Sequence, residues 1–99
     1  MYISQAIFTT SKEAADTLRT IMTTKLISSR KAAGCISSEL WVTFCDKEAG
    51  YCLLSKWENK ECFQDWMREA HSSKGKQAMK KPENMPLAKI LYQFEETHL

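Results

Sequence analysis

The sequence predicts an α+β fold of the ferredoxin-like βαββαβ type, in which two helices cover one face of an antiparallel four-stranded sheet. Four segments alternate apolar and polar residues as strands do, and two segments repeat apolar residues at helical spacing. These segments follow one another in the order that this fold requires. A chain of 99 residues can form one sheet with one helical layer, so we expect a single domain over residues 1–99.

The first part of the chain predicts a strand followed by a long helix. Residues 2–8 are rich in β-branched and aromatic types. Thr10 and Glu13 have the spacing of a capping box, with Ser11 as an alternative cap, and the helix should extend to about Ser28. Its predicted apolar stripe consists of Ala14, Leu18, Ile21, Met22 and Leu26.

The remaining elements are read from alternation, turn residues and a second helix cap. Asn59 has the side chain of a helix cap and directly precedes the second helical segment. The predicted elements are strand two at 35–44, a hairpin connection at 45–50, strand three at 51–57, helix two at 60–71, a long loop at 72–87 and strand four at 88–95.

Alternation also places apolar side chains on the sheet face that the helices leave uncovered. We expect Trp41 and Leu91 there, among Gln5, Glu39 and Gln93. Exposed apolar patches on a sheet usually mark an interface, and symmetric dimers are the commonest oligomers. The sequence therefore predicts a homodimer that packs sheet against sheet.

Composition and charge exclude several classes of function. The N-terminus lacks the pattern of a signal peptide and no apolar run is long enough to span a membrane, which predicts a cytoplasmic protein without a membrane partner. A net charge of +2, with acidic residues interspersed, argues against nucleic acid as a partner. The loop at 72–87 carries Lys74, Lys76, Lys80 and Lys81, which could bind an acidic ligand but more often form a solvated loop.

Cysteine and histidine residues predict no metal site. Cys35, Cys45, Cys52 and Cys62 form no CxxC pair, so we expect them to be reduced and mostly buried. His71 could act as a general base or a metal ligand. A cation at the end of a helix is also favoured by the helix dipole alone, and a lone histidine is a weak motif.

The most informative residues lie on the second predicted helix. Phe63, Trp66 and Met67 share one side of it. Large aromatic surfaces of this kind either fill a core or line a pocket for a flat ligand. The first interpretation is the default for a helical stripe, and the second makes these three residues a candidate substrate pocket.

Three short motifs carry a resemblance to a known family. They are Glu39-Leu40-Trp41, Ser55-Lys56-Trp57-Glu58 and Asp65-Trp66. With the βαββαβ order, they resemble the antibiotic biosynthesis monooxygenase (ABM) family, over about residues 3–67, and within it look closest to the haem-degrading monooxygenase branch. The resemblance implies a dimeric α/β barrel.

The resemblance also implies roles for individual residues. In the haem-degrading branch, a tryptophan of helix two, a histidine further along and an asparagine of strand one form the haem site. Trp66 matches the tryptophan, whereas Gln5 stands near the expected asparagine and His71 follows Trp66 more closely than the branch's ligand does.

The function implied by the resemblance is oxygen insertion into a flat aromatic small molecule in a cleft beside helix two. We expect no cofactor, because the substrate itself would supply electrons to oxygen, with Trp66, His71 and Gln5 as candidate catalytic residues. One alternative is a haem-binding or haem-degrading monooxygenase, with haem as ligand or substrate. The other is a non-catalytic dimer that binds a small molecule or has a regulatory role.

Overall fold

The computed structural model describes residues 1–70 and 85–96. The chain forms a four-stranded antiparallel sheet with two helices on one face. The strands lie in the order β2-β3-β1-β4, which confirms the ferredoxin-like prediction. The elements are β1 (Tyr2–Ser11), a short 3₁₀ helix (Lys12–Ala14), α1 (Ala15–Arg30), β2 (Cys35–Phe44), β3 (Glu48–Trp57), α2 (Lys60–Ala70) and β4 (Ala88–Glu95).

Strand β1 is longer than predicted, and this changes the start of α1. The pairing of β1 with β3 continues as far as Ser11 opposite Glu48. Thr10 therefore lies in the sheet, where its hydroxyl donates to the carbonyl oxygen of Pro86 at 2.6 Å. The predicted capping box of Thr10 and Glu13 is wrong, because the ladder of backbone hydrogen bonds uses the residues that the cap would need. Ser11, the alternative cap, precedes the 3₁₀ helix and makes no side-chain capping bond.

The β2–β3 hairpin is tighter than predicted. Strand β3 begins at Glu48 instead of Tyr51, and the backbone N–H of Cys45 donates to the carbonyl of Glu48 at 2.9 Å. Gly50 is consequently a strand residue paired with Thr43 and Thr9, not the end of the connection.

Helix α2 begins as predicted. The side-chain oxygen of Asn59 accepts a hydrogen bond from the backbone N–H of Cys62 at 2.9 Å, which confirms the predicted cap. The predicted helix end at His71 lies outside the described residues, as do most of the predicted loop at 72–87 and its four lysines.

The core lies between the helices and the facing side of β1 and β3. Side chains alternate along these strands, so even-numbered residues of β1 and odd-numbered residues of β3 point toward the helices. Trp57 is the largest fully buried side chain. The core is made up of Tyr2, Phe8, Ala15, Leu18, Met22, Ala49, Tyr51, Leu53, Trp57, Phe63, Trp66 and Met85.

The uncovered face of the sheet is apolar, but the register of β4 differs from the prediction. Leu91 pairs with Ala6 and Gln93 with Ser4, so both lie on the helix-facing side. The uncovered face instead carries Ile90, Tyr92 and Phe94 together with Trp41, a shift of one residue that exchanges the two faces of a strand. We refer to Trp41, Ile90, Tyr92 and Phe94 as the open-face cluster.

Two further expectations concern cysteines and membranes. All four cysteines are free, but Cys45 is exposed and the others are only partly buried, so the expectation of mostly buried thiols is wrong. Within residues 1–70 and 85–96, neither helix combines the length and apolar character needed to cross a bilayer.

Candidate functional site

Helix α2 presses its aromatic side against the sheet. The centre of the Trp66 ring lies 5.5 Å from that of Trp57 and 6.1 Å from that of Phe63. The indole N–H of Trp66 donates to the hydroxyl of Ser28 on α1 at 3.0 Å, which satisfies its polar atom. Trp66 is only 8% exposed, so it belongs to the core as well as to any cleft beside α2.

A narrow cleft between the two helices and the sheet adjoins this cluster. Its walls include Phe63, Trp66 and Met67, the three residues predicted to form a pocket, and Lys25 and Lys89. The cleft has a volume of about 30 Å³, enough for water but not for an aromatic ring system. Small-molecule pockets are usually roughly ten times larger, so a ligand needs the cleft to open.

Two lysines stand over one aromatic ring at this cleft. The ammonium nitrogens of Lys25 and Lys89 lie 5.4 and 5.5 Å from the centre of the Phe8 ring. Phe8 is buried, and each ammonium is attracted to the face of its ring. Burial, and then the charge of Lys89, lower the pKa of Lys25 below its ordinary value. The cleft is thus apolar inside and positively charged at these two side chains.

The sequence analysis predicts neither lysine as a site residue, although the pattern of α1 contains an indication for Lys25. Leu18, Met22 and Ser29 are buried positions of α1. Lys25 lies one helical turn after Met22 and one before Ser29, on the same side of α1, where an apolar residue is expected. A lysine within a buried stripe is unusual and can indicate a functional role. Lys89 carries no such signal, because its face depends on the register of β4.

The other predicted catalytic residues are not brought together with Trp66 by the described part of the chain. Gln5 pairs with Leu54 and Tyr92, and its place in β1 directs it to the uncovered face of the sheet. Gln5 and Trp66 therefore lie on opposite sides of the sheet. His71 is outside the described residues.

The cleft in its present form does not admit a haem group. Its volume of about 30 Å³ would have to increase to hold a porphyrin, as it would for any aromatic ring system, and the described residues that line it include no histidine. Those residues also include no cluster of three histidine, cysteine or acidic side chains that could hold a metal ion.

Two larger hollows lie away from Trp66. One, of about 540 Å³, is lined by the end of β1 and by Lys47 and Pro86. The other, of about 360 Å³, lies between α1 and the helix-facing side of β2. Both are grooves open to solvent. The cleft at Trp66 is smaller, but it is more enclosed and it combines aromatic walls with charged side chains, so we regard it as the candidate site.

Comparison with known proteins identifies the family. The model of the family described as "Antibiotic biosynthesis monooxygenase" matches residues 1–78, which is most of the chain. The chain belongs to the antibiotic biosynthesis monooxygenase family. This confirms the family-level resemblance of the sequence, and no curated protein matches the chain.

Solved structures of ABM-type proteins share the fold. A protein from Deinococcus radiodurans described as an antibiotic biosynthesis monooxygenase superposes with a TM-score of 0.76 at 18% identity, over 100% of this chain and 95% of that one. SnoaB from Streptomyces nogalater, a cofactor-independent oxygenase, gives a TM-score of 0.64 at 9% identity, over 99% and 95%. A variant of MhuD with two manganese protoporphyrin IX molecules per active site gives 0.65 at 16% identity, over 99% and 96%. At these identities the likeness establishes the fold alone.

Proposed function

We propose that this ABM protein is a cofactor-independent monooxygenase that acts on a flat aromatic small molecule in the cleft beside α2. The observation that carries the proposal is the position of Trp66, whose indole forms a wall of that cleft together with Phe63 and Met67. Membership of the family and the fold shared with SnoaB, a cofactor-independent oxygenase, support the type of reaction.

The chemistry requires a substrate that can give electrons to oxygen. In an anthrone-type substrate, a ring CH₂ group loses a proton, and the carbanion donates electrons to O₂ as a carbon–oxygen bond forms. The resulting peroxide anion takes up a proton to give a hydroperoxide, which loses water and leaves a ketone. One oxygen atom ends in the ketone and the other in water, and the CH₂ carbon supplies all four electrons.

The protein contributes orientation and exclusion of water to this reaction. Trp66, Phe63 and Met67 would hold the ring system flat once the cleft has opened around it. His71, which directly follows α2 in sequence, stays the predicted proton acceptor. A role for Gln5 also stays a prediction, and its place on the opposite face of the sheet does not support one at this cleft.

The proposed assembly is a homodimer in which two uncovered sheet faces pack together. Trp41, Ile90, Tyr92 and Phe94 are each about half exposed or more, and the rings of Tyr92 and Phe94 stack at 6.3 Å. An apolar surface of this kind costs free energy in water, and a second copy of the same sheet would cover it.

Oxygen consumption with anthrone tests the proposed reaction. The purified protein, without added flavin, metal or haem, should accelerate O₂ uptake and anthraquinone formation above the spontaneous rate and in proportion to its concentration. Trp66→Phe should lower the catalysed rate by about tenfold or more, because the ring is held less well. Trp41→Phe, an indole replacement outside the cleft, is the matched control and should leave the rate unchanged.

Two results would contradict the proposal. One is a rate equal to spontaneous oxidation, and the other is a catalysed rate that Trp66→Phe and Trp41→Phe affect equally. Circular dichroism of each variant excludes loss of fold as the cause of a lower rate.

A second candidate is a non-catalytic dimer that binds a small molecule or has a regulatory role. It is favoured by the burial of Trp66, which is only 8% exposed, and by the small volume of the cleft. For such a protein, Trp66→Ala would cost roughly 3–5 kcal/mol of stability, as aromatic core truncations do, without a specific effect on any ligand.

A further inference from the structure

Two positively charged side chains line the candidate cleft, and no carboxylate of the described residues forms an ion pair with either of them. Among residues 1–70 and 85–96, the ion pairs join Met1 to Glu96 and Arg68 to Asp65, and neither involves Lys25 or Lys89. The Phe8 ring attracts both ammonium groups, yet their like charges repel each other. An arrangement of this kind is unfavourable in the free protein and becomes favourable when an anion binds.

Both lysines reach the cleft from rigid elements. Lys25 is on α1 and is partly buried, whereas Lys89 is on β4, paired with Phe8 across the ladder. Both line the same cleft as Trp66 and Met67. An anion bound between the two ammonium groups would therefore be attached to whatever occupies the apolar part of the cleft.

We propose that the ligand of this cleft is a flat aromatic carboxylate, whose carboxylate group binds between Lys25 and Lys89 while its ring system packs against Trp66. This inference rests on the proposed function, because it assumes that the cleft beside α2 opens to admit a ligand. It adds the substrate class, which the family and the fold do not determine.

The charge of the lysines favours a carboxylate over a neutral polar group. A phenol has a pKa near 10 and is uncharged at neutral pH, whereas a carboxylic acid has a pKa of about 4 and is ionised. Hydrogen bonds between an ammonium and a carboxylate are roughly twice as strong as those between neutral groups. Only the ionised group also removes the repulsion between the two lysines.

The lysines also provide the part of the cleft wall that moves most easily. Each has a flexible four-carbon stem, so its ammonium group can move outward with a bound anion without displacing a helix or strand. Met67 is the most adaptable apolar side chain of the wall. Movement of Lys25, Lys89 and Met67, which all line the cleft, would therefore make room for the ring system.

The test compares two probes of the same ring and nearly the same size, 2-naphthoate and 2-naphthamide. Their dissociation constants are measured by isothermal titration calorimetry at pH 7 with the full chain and with Lys25→Gln, Lys89→Gln and Trp66→Phe. Lys31→Gln, which removes an exposed lysine just after α1, is the matched control.

The inference expects 2-naphthoate to bind at least about tenfold more tightly than 2-naphthamide. Lys25→Gln and Lys89→Gln should each remove most of that preference and leave the affinity for 2-naphthamide nearly unchanged. Lys31→Gln should alter neither probe, and added salt should weaken only the carboxylate.

Equal affinity for the two probes overturns the inference. If Trp66→Phe then weakens both probes, the cleft still binds aromatic ligands and the proposed function stands. A preference for 2-naphthoate that survives both lysine substitutions places the anion elsewhere and also overturns the inference. If 2-naphthoate fails to bind at millimolar concentration, the inference fails. The proposed function is then tested separately by the anthrone oxidation assay.

Discussion

At the scale of single residues, Lys25 links the candidate site to the stability of the fold. Its pKa is lowered first by burial and then by the charge of Lys89, so the folded protein binds this proton less tightly than the unfolded chain does. Stability due to Lys25 therefore rises with pH between its lowered folded pKa and its ordinary value of 10.5. Below that range the unfavourable contribution of the charged lysine is fully present.

Lys25→Met tests this linkage. The variant retains an apolar stem over Phe8 but removes the charge, so its stability relative to wild type should be greatest near pH 7. The advantage should shrink as the pH rises toward 10.5, because the wild-type lysine then loses its proton. Urea denaturation at several pH values measures the difference, and the exposed Lys31→Met serves as control. A difference that grows with pH for Lys25→Met would contradict the assignment.

Individual residues of the site were predictable only where local pattern decides their position. The helical spacing of Phe63, Trp66 and Met67 placed all three on the side of α2 that faces the sheet, and the structure has them together in one cleft. Pattern did not reveal that Trp66 is also a core residue or that the cleft is narrow. Those properties depend on the packing of α2 against Trp57 and Ser28, residues distant in sequence.

At the scale of elements, the turn between α1 and β2 depends on a single glycine. Gly34 has a φ of +83°, a left-handed conformation that favours glycine. A Cβ atom there would lie 2.3 Å from the sulfur of Cys62 on α2. The Gly34 carbonyl also accepts a hydrogen bond from the backbone N–H of Glu58 at 2.8 Å, which joins this turn to the end of β3.

Gly34→Ala should destabilise the protein by about 2–4 kcal/mol, from backbone strain together with overpacking against Cys62. Gly50→Ala is the matched comparison, since the nearest neighbour of its new Cβ would be the methyl group of the exposed Thr43, at 3.0 Å, and its other neighbours lie at ordinary van der Waals distance. That change should stay within roughly 1 kcal/mol of wild type. Chemical denaturation measures both, and equal costs would show that the Gly34 turn can relax.

Element types were predictable from sequence, whereas some boundaries were not. Asn59 was identified as a cap because its signal is local and no tertiary contact competes with it. Thr10 has an equally good local signal, but pairing of β1 with β3 extends past it and prevents the cap. The predicted face of β4 is wrong for the same reason, since the register of a strand depends on its partner strand and not on its own alternation.

At the scale of the whole molecule, the sheet separates two surfaces of different character. Its helix-facing side carries the core and the candidate cleft, and its uncovered side carries the open-face cluster. Trp41 in that cluster is 60% exposed, which is unusual for the largest apolar side chain. The proposed dimer assigns this second surface to association.

Phe94→Lys should weaken the proposed dimer, because it places two positive charges, one from each copy of the chain, in an apolar interface. Sedimentation velocity should show a dimer for wild type and a shift toward monomer for the variant. Phe44→Lys is the matched control, since Phe44 is 61% exposed but lies on the helix-facing side of edge strand β2. A wild-type monomer, or equal loss of dimer in both variants, would contradict the sheet-to-sheet arrangement.

The three tryptophans can act as separate fluorescent reporters, because Trp57 and Trp66 lie on the helix-facing side of the sheet and Trp41 lies on the uncovered side. Trp57 and Trp66 are buried with ring centres 5.5 Å apart, close enough for excitation to pass between them, whereas Trp41 faces solvent in the single chain. Red-shifted emission from Trp41 would turn blue when a second sheet covers it. With Trp41→Phe in place, the remaining emission comes from the two interior indoles and reports on opening of the cleft alone.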